Sequence, residues 1–174
     1  DPAYAVAITH DAAKVGELLR DAGVIGRFAI DFVVARAHDT ASWETYAIEI
    51  NLRKGGTTHP FLTLQFLTGG NYDPENATFI APNGHKKFLV ASDHLESLKY
   101  KGFTPDDLFD LVVRRGLHFG QVRQTGVVFH MLSGLGSRGR LGLTAVGNSP
   151  EEAQSIFDKA QRILDEEARF DQLQ

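Results

Sequence analysis

The residues best suited to chemistry lie in Glu49-Ile50-Asn51-Leu52-Arg53, followed by Lys54-Gly55-Gly56-Thr57-Thr58-His59-Pro60 and preceded by Asp31 in an earlier β-forming run. In a strand, residues two apart share a face, so Glu49 and Asn51 point the same way and Arg53 follows at the same spacing. An antiparallel partner strand would bring Asp31 beside them. Two carboxylates and an amide oxygen are hard ligands suited to magnesium, which commonly takes one or two carboxylates and completes its shell with phosphate oxygens. Arg53 adds a planar cation able to fork onto a carboxylate or phosphate, and Gly55-Gly56 would let backbone N–H groups approach an anion. Taken singly, each residue also fits a solvated edge charge or a turn. Only the whole string together points to a polar ligand.

The elements that must position these groups follow from pattern. Thr9 to Gly23 has helical apolar spacing at Ala12, Val15, Leu18, Leu19 and Ala22, with Asp11 as an N-cap and Gly23 as the stop. Phe28 to Val34 and Trp43 to Ile50 are rich in β-formers and predict an antiparallel hairpin around a polar loop at His38-Asp39-Thr40. Pro60 opens a short helix to Leu67 that Gly69-Gly70 end, Asn71 to His85 reads as loop, and Lys87 to Ala91 reads as a strand. Thr104-Pro105-Asp106-Asp107 starts a helix ending near Gly116. Thr125 to Leu132 and Arg140 to Val146 are β runs joined by a hairpin-like Gly134 to Gly139, and Ser149-Pro150-Glu151-Glu152 is a capping box opening a helix to about Arg169.

Composition narrows the function classes. The chain has 174 residues, 43% of them hydrophobic, and a net charge of -4, so it carries no basic field for a nucleic acid backbone. It has no cysteine, which removes thiolate zinc sites and cysteine nucleophiles and leaves any metal to oxygen or histidine ligands. No apolar run reaches the roughly 20 residues of a membrane span, and a cytoplasmic location with no nucleic-acid or membrane partner is expected.

Glu49-Ile50-Asn51-Leu52-Arg53 resembles the metal-binding signature of the ATP-grasp superfamily, in which a strand ends Glu-x-Asn, often Glu-x-Asn-x-Arg, after an earlier strand with a central acidic residue. The longer string Asn51 to Pro60, with Ala91-Ser92-Asp93-His94-Leu95-Glu96-Ser97 and Arg123-Gln124-Thr125-Gly126-Val127-Val128-Phe129-His130-Met131, resembles the ATP-grasp peptide ligases of the pheganomycin type, which join an amino-acid-like carboxylate to a peptide amine. The resemblance runs from about Gly26 to Ala168.

It implies an α+β fold: residues 1–100 as the distal, metal-binding part of an ATP-grasp domain with an antiparallel sheet and helices, and 101–174 as a small α+β C-terminal domain. It also implies ATP and Mg2+ as cofactors, with Asp31, Glu49 and Asn51 on the metal and Glu49 shared between two ions. Arg53 would steady an acyl-phosphate and its tetrahedral successor. Gly55 and Gly56 would lie with Glu49 and Asn51 on the nucleotide side, and Thr57, Thr58 and His59 on the acceptor side, where a threonine-rich turn capping the Pro60 helix is the alternative. The partners would be a small-molecule or peptide carboxylate, an amine, and the remainder of the same polypeptide. An ATP-grasp enzyme needs an upstream nucleotide-binding subdomain, and only 30 residues precede Asp31, so the chain is expected to be part of a longer enzyme. The competing expectation is a non-catalytic module that binds a peptide or partner chain.

Other candidates carry less. The seven histidines show no His-x3-His spacing. His94 and Glu96 either reach the site or sit on a surface loop. His118 and His130 read as structural histidines, Arg123 has no assigned role, and Gly134 to Gly139 lacks the Gly-Lys-Ser/Thr of a phosphate loop.

Overall fold

The computed structural model describes residues 2–36 and 42–170, and the loop expected at His38-Asp39-Thr40 lies outside them. The architecture is α+β, as expected. Helix α1 spans Pro2–Asp21. It begins seven residues before the expected Thr9 start, because Ala3, Ala5 and Ala7 extend it with strong helix formers. Asp11 is therefore not a cap. Its carboxylate accepts from Lys14 Nζ at 2.7 Å and from the Thr45 hydroxyl, which ties the helix to the strand bearing Glu49. Gly23 does stop α1: at φ 80 it donates to Arg20 O while Val24 donates to Leu19 O, a Schellman pair.

Strands β1 (Ala29–Arg36) and β2 (Trp43–Asn51) form the expected antiparallel hairpin as a separate two-stranded sheet. Such a pair is marginal alone. One face, with half-buried Ile30, Phe32, Val34, Thr45 and Trp43, packs towards α1, where the Tyr4 and Trp43 rings meet edge-on at 5.6 Å. The other face is open.

Helix α2 is Thr58–Thr68, so Pro60 stands at its third position, where its missing N–H still costs nothing. Gly69, at φ 66, ends it. The stretch expected as loop contains two three-residue strands, β3 (Asn71–Asp73) and β4 (Thr78–Ile80), which close on β5. Strand β5 (Lys86–Glu96) runs five residues past the expected end, and a 3-10 turn, Leu98–Gly102, follows. Helix α3 (Pro105–Arg114) has the Thr104–Asp107 capping box in both directions.

Strand β6 (Gly126–His130) leads to β7 (Arg140–Gly147). The connection between them is not a tight hairpin turn: a 3-10 turn and the four-residue α4 (Leu135–Arg138) occupy it. Helix α5 (Pro150–Phe170) starts as expected, with Glu152 N donating to Ser149 Oγ at 3.1 Å, although the Glu152 carboxylate accepts from Asn148 N rather than Ser149 N.

The main sheet has the order β3-β4-β5-β7-β6, with every pair antiparallel. Strand β7, between β5 and β6, is buried on both sides. Leu141, Leu143 and Ala145 pack with Leu108 and Leu111 of α3 and Phe157, Ala160 and Leu164 of α5. Val146 packs on the opposite face with Leu64 of α2 and Phe79. Residues on both sides of position 100 thus share one sheet and one core.

One buried cation locks two loops to this sheet. Lys87 is 3% exposed, and its ammonium donates to Arg123 O at 3.1 Å, Gln124 O at 3.2 Å and Asn148 Oδ1 at 2.7 Å. Lys87→Met would keep the volume but leave three acceptors without a donor, so a loss of about 2 kcal/mol is expected by urea denaturation.

Candidate functional site

The hairpin places the expected ligand residues by register. Asp31 pairs with Glu49 and Ala29 with Asn51, so Asp31, Glu49 and Asn51 share the open face. The register shifts between Asp31 and Phe32, leaving Ile48 without a partner. This β-bulge reverses the facing of β2, so that Tyr46 and Glu49 lie on the same open side. Asn51 Nδ2 reaches Asp31 Oδ2 at 3.4 Å. That contact uses the amide nitrogen and spends none of the oxygen that a cation would take.

Two carboxylates and one amide on an exposed face form a half-shell rather than a cage. Among the described residues no group of three or more histidine or acidic side chains could hold a metal by itself. The donor set fits a hard cation whose remaining positions are filled by phosphate and water.

Beyond β2 the chain turns sharply, with Arg53 N donating to Asn51 O at 2.8 Å. Arg53 has left the strand, and its Nη1 lies 3.4 Å from Lys54 O. Gly55 and Gly56 have open space where a Cβ would stand. Gly55 N donates to Thr58 Oγ1 at 3.0 Å, so the Thr58 hydroxyl serves the turn.

From here two clefts open on either side of the α2 N-terminus. One, of 550 Å³, is lined by Gly56, Thr57, Pro60, Phe61, Leu89 and Asp93, among others, with His130 at its wall. The other, of 580 Å³, is lined by Lys54, Gly55, Thr58, His59, Phe66 and Val128 among others. The His59 and His130 rings meet between them, with centroids 4.4 Å apart.

Sequence reasoning missed how His130, Gly142 and Asp93 combine. His130 on β6 pairs with Gly142 on β7, and a Cβ at Gly142 would collide with the imidazole, so the ring lies across the glycine. Its Nε2 is 3.4 Å from the buried Thr144 hydroxyl. On the far side of Gly142, β5 carries a second bulge between Ser92 and Leu95, which re-aims Asp93 into the same cleft. The available signals were a glycine inside an apolar strand, which marks a close approach, and a polar pair interrupting β5. His94 and Glu96 lie on exposed β5 positions 3.7 Å apart.

Burial pushes the His130 imidazole below its ordinary value of 6.5, and His59 adds to the effect, against an opposing pull from Asp93. The unfolded chain therefore binds more protons at this residue once pH falls below about 6.5. Stability is unaffected above that value and falls as pH descends through the folded value. Carboxylates held low, such as Glu167 beside Arg115, act only near and below the carboxylate range. Between pH 7 and 5 the urea midpoint of the wild type should therefore drop further than that of His130→Gln.

A family model described as the PGM1 C-terminal domain matches residues 107–159. The chain is also 30% identical over 157 residues to an L-propargylglycine–L-glutamate ligase from Streptantibioticus cattleyicolor, covering 90% of this chain and 31% of that ligase. The chain thus spans about a third of the length of the curated relative it matches. No solved structure matches. The resemblance to ATP-grasp peptide ligases of the pheganomycin type is borne out. No helix among the described residues is long and apolar enough to cross a membrane.

Proposed function

We propose, from a kinship with a glutamate ligase that spans 90% of this chain, that it supplies the distal half of an ATP-dependent carboxylate–amine ligase. The observation that carries this reading is the single open face bearing Asp31, Glu49 and Asn51. These three residues would hold Mg2+ against the phosphates of ATP, with Glu49, flanked by the other two, as the shared ligand. When bound, the metal would supply charge stabilisation for phosphoryl transfer to the carboxylate.

The chain's own residues orient the reactants. Asp31 positions Asn51, and Arg53, at the mouth of the same turn, faces the developing charge of an acyl-phosphate and its tetrahedral successor with a cation that cannot lose its proton. Gly55 and Gly56 offer unobstructed backbone beside the phosphates, while Thr57, in the cleft with His130, and His59, whose ring meets His130 from the neighbouring cleft, stand on the acceptor side. No protein nucleophile is required.

In this reading the metal-binding segment lies before about residue 100, and the segment matched at 107–159 belongs to the part that follows. The nucleotide-binding subdomain would belong to the remainder of the polypeptide, and a cytoplasmic location, where ATP is supplied, goes with this reading. The test is to offer the polypeptide containing this chain Mg·ATP, L-glutamate and a panel of amino acids. Amide product with equimolar ADP is expected. Absence of ADP and amide with every pair would overturn the reading.

A further inference from the structure

The cleft between α2 and the main sheet has a composition that the metal-side residues do not use. Its walls are Pro60 and Phe61 from α2 and Leu89 and Ala91 from β5, all apolar. Its lining carries a single carboxylate, Asp93, close enough to His130 to act on its charge. Asp93 is 60% exposed at its side chain and sits on a bulge, so a carboxylate is presented at the cleft rather than buried in it. Arg140 does not neutralise it closely: its Nε donates to the Asp93 backbone oxygen at 2.9 Å, while its Nη2 stays 4.0 Å from the carboxylate.

The floor is built for access. Gly142 and Thr144 are the β7 residues beneath His130, and the missing Cβ at 142 lets the ring lie against the strand. Gly56, also in the lining, follows Asn51 by five residues, which reach at most about 17 Å fully extended.

We infer that this cleft binds the amine-bearing substrate as an α-amino amide with an apolar side chain, its ammonium paired with Asp93 and hydrogen-bonded to His130, its side chain held between Phe61 and Leu89. The identity of this ligand as a substrate rests on the ligase reading; the binding itself does not. Apolar walls ending in one carboxylate complement a primary ammonium next to an apolar group, and they repel a carboxylate or phosphate entering the same way. The imidazole accepts a hydrogen bond only when neutral, and burial keeps it neutral to lower pH than an ordinary histidine. The titratable and charged groups facing it are His59 from α2, Asp93 from β5 and, through Asp93, Arg140 from β7.

The test is an NMR titration of the isotope-labelled 174-residue chain with L-leucinamide and, separately, N-acetyl-L-leucinamide, which keeps the side chain and loses the ammonium. L-Leucinamide is expected to give saturable shifts at Phe61, Leu89, Asp93 and His130, with the acetylated probe weaker by at least about tenfold. Asp93→Asn should weaken L-leucinamide by a similar factor and Asp93→Glu should restore part of it, while Ala91→Leu, which fills the cleft, should exclude both probes. Binding should be strongest between about pH 6.5 and 7.5, where the amine is charged and the imidazole is not. Equal binding of the two probes, indifference to Asp93→Asn, or no saturable shift up to about 50 mM would overturn the inference. No nucleotide is present in this experiment. L-Leucinamide bound in the cleft while the parent polypeptide forms no amide would overturn the ligase reading alone, and amide formation without cleft binding would overturn this inference alone.

Discussion

Glu49→Gln is expected to reduce ATP-dependent ligation by the polypeptide containing this chain by at least about a thousandfold, with the fold intact. Glu49 is exposed and pairs with Asp31 at the position between Asn51 and the Ile48 bulge. Glutamine is nearly isosteric, so the hairpin register and the contacts with α1 should not change. What changes is charge. Removing one of two carboxylates leaves Asp31 as the one anionic member of the proposed ligand set, and a metal contribution of about 4 kcal/mol to the transition state corresponds to about three decades in rate. Circular dichroism and the urea midpoint should be unchanged while product formation disappears. Wild-type turnover would place the metal elsewhere.

Leu143→Ala should lower stability by about 3 kcal/mol, through the lost transfer energy and the cavity left behind. In a domain of this size that corresponds to about 9 °C in Tm. Leu143 has no exposed surface, lies at the middle of β7, and pairs with Ser92 on one side and Phe129 on the other. Its side chain enters the core shared with α3 and α5. It also stands between Gly142 and Thr144, the two residues beneath His130. Loosening it should therefore broaden the His130 ring resonances as well as lower the melting point. Val122, 96% exposed, is the matching control: Val122→Ala should move the midpoint very little.

Much of the scaffold was legible because it is locally determined. The β-rich runs around Asp31 and Glu49 predict the hairpin, and Thr104-Pro105-Asp106-Asp107 and Ser149-Pro150-Glu151-Glu152 mark helix starts through caps that act within one turn. What escaped the sequence depends on distant partners. Three residues such as Asn71–Asp73 have too little pattern to announce a strand and become one only against β4. A bulge exists only relative to a neighbouring strand, so neither Ile48 nor Asp93-His94 reveals its re-aiming locally. Asp11 had the residue type of a cap, but a run of alanines carries α1 past it, and its carboxylate meets Thr45 instead.

The same division holds at the candidate site. Glu49 and Asn51 are two residues apart in one strand, so their shared face is readable, and the resemblance to ATP-grasp ligases supplies Asp31 as their partner. His130, Gly142 and Asp93 come from three strands, and the His59 ring arrives from a helix. Only the order β5-β7-β6 brings them together.

The most direct test of the metal-site assignment is paramagnetic broadening of the 174-residue chain by Mn2+ as a stand-in for Mg2+. The half-shell should bind it weakly, at about millimolar strength, because the ion keeps most of its water until phosphates replace it. Broadening centred on Asp31, Glu49 and Asn51, lost in Glu49→Gln and strengthened by ATP, is the predicted result. Broadening centred on another part of the chain, or unchanged by Glu49→Gln, would contradict the account.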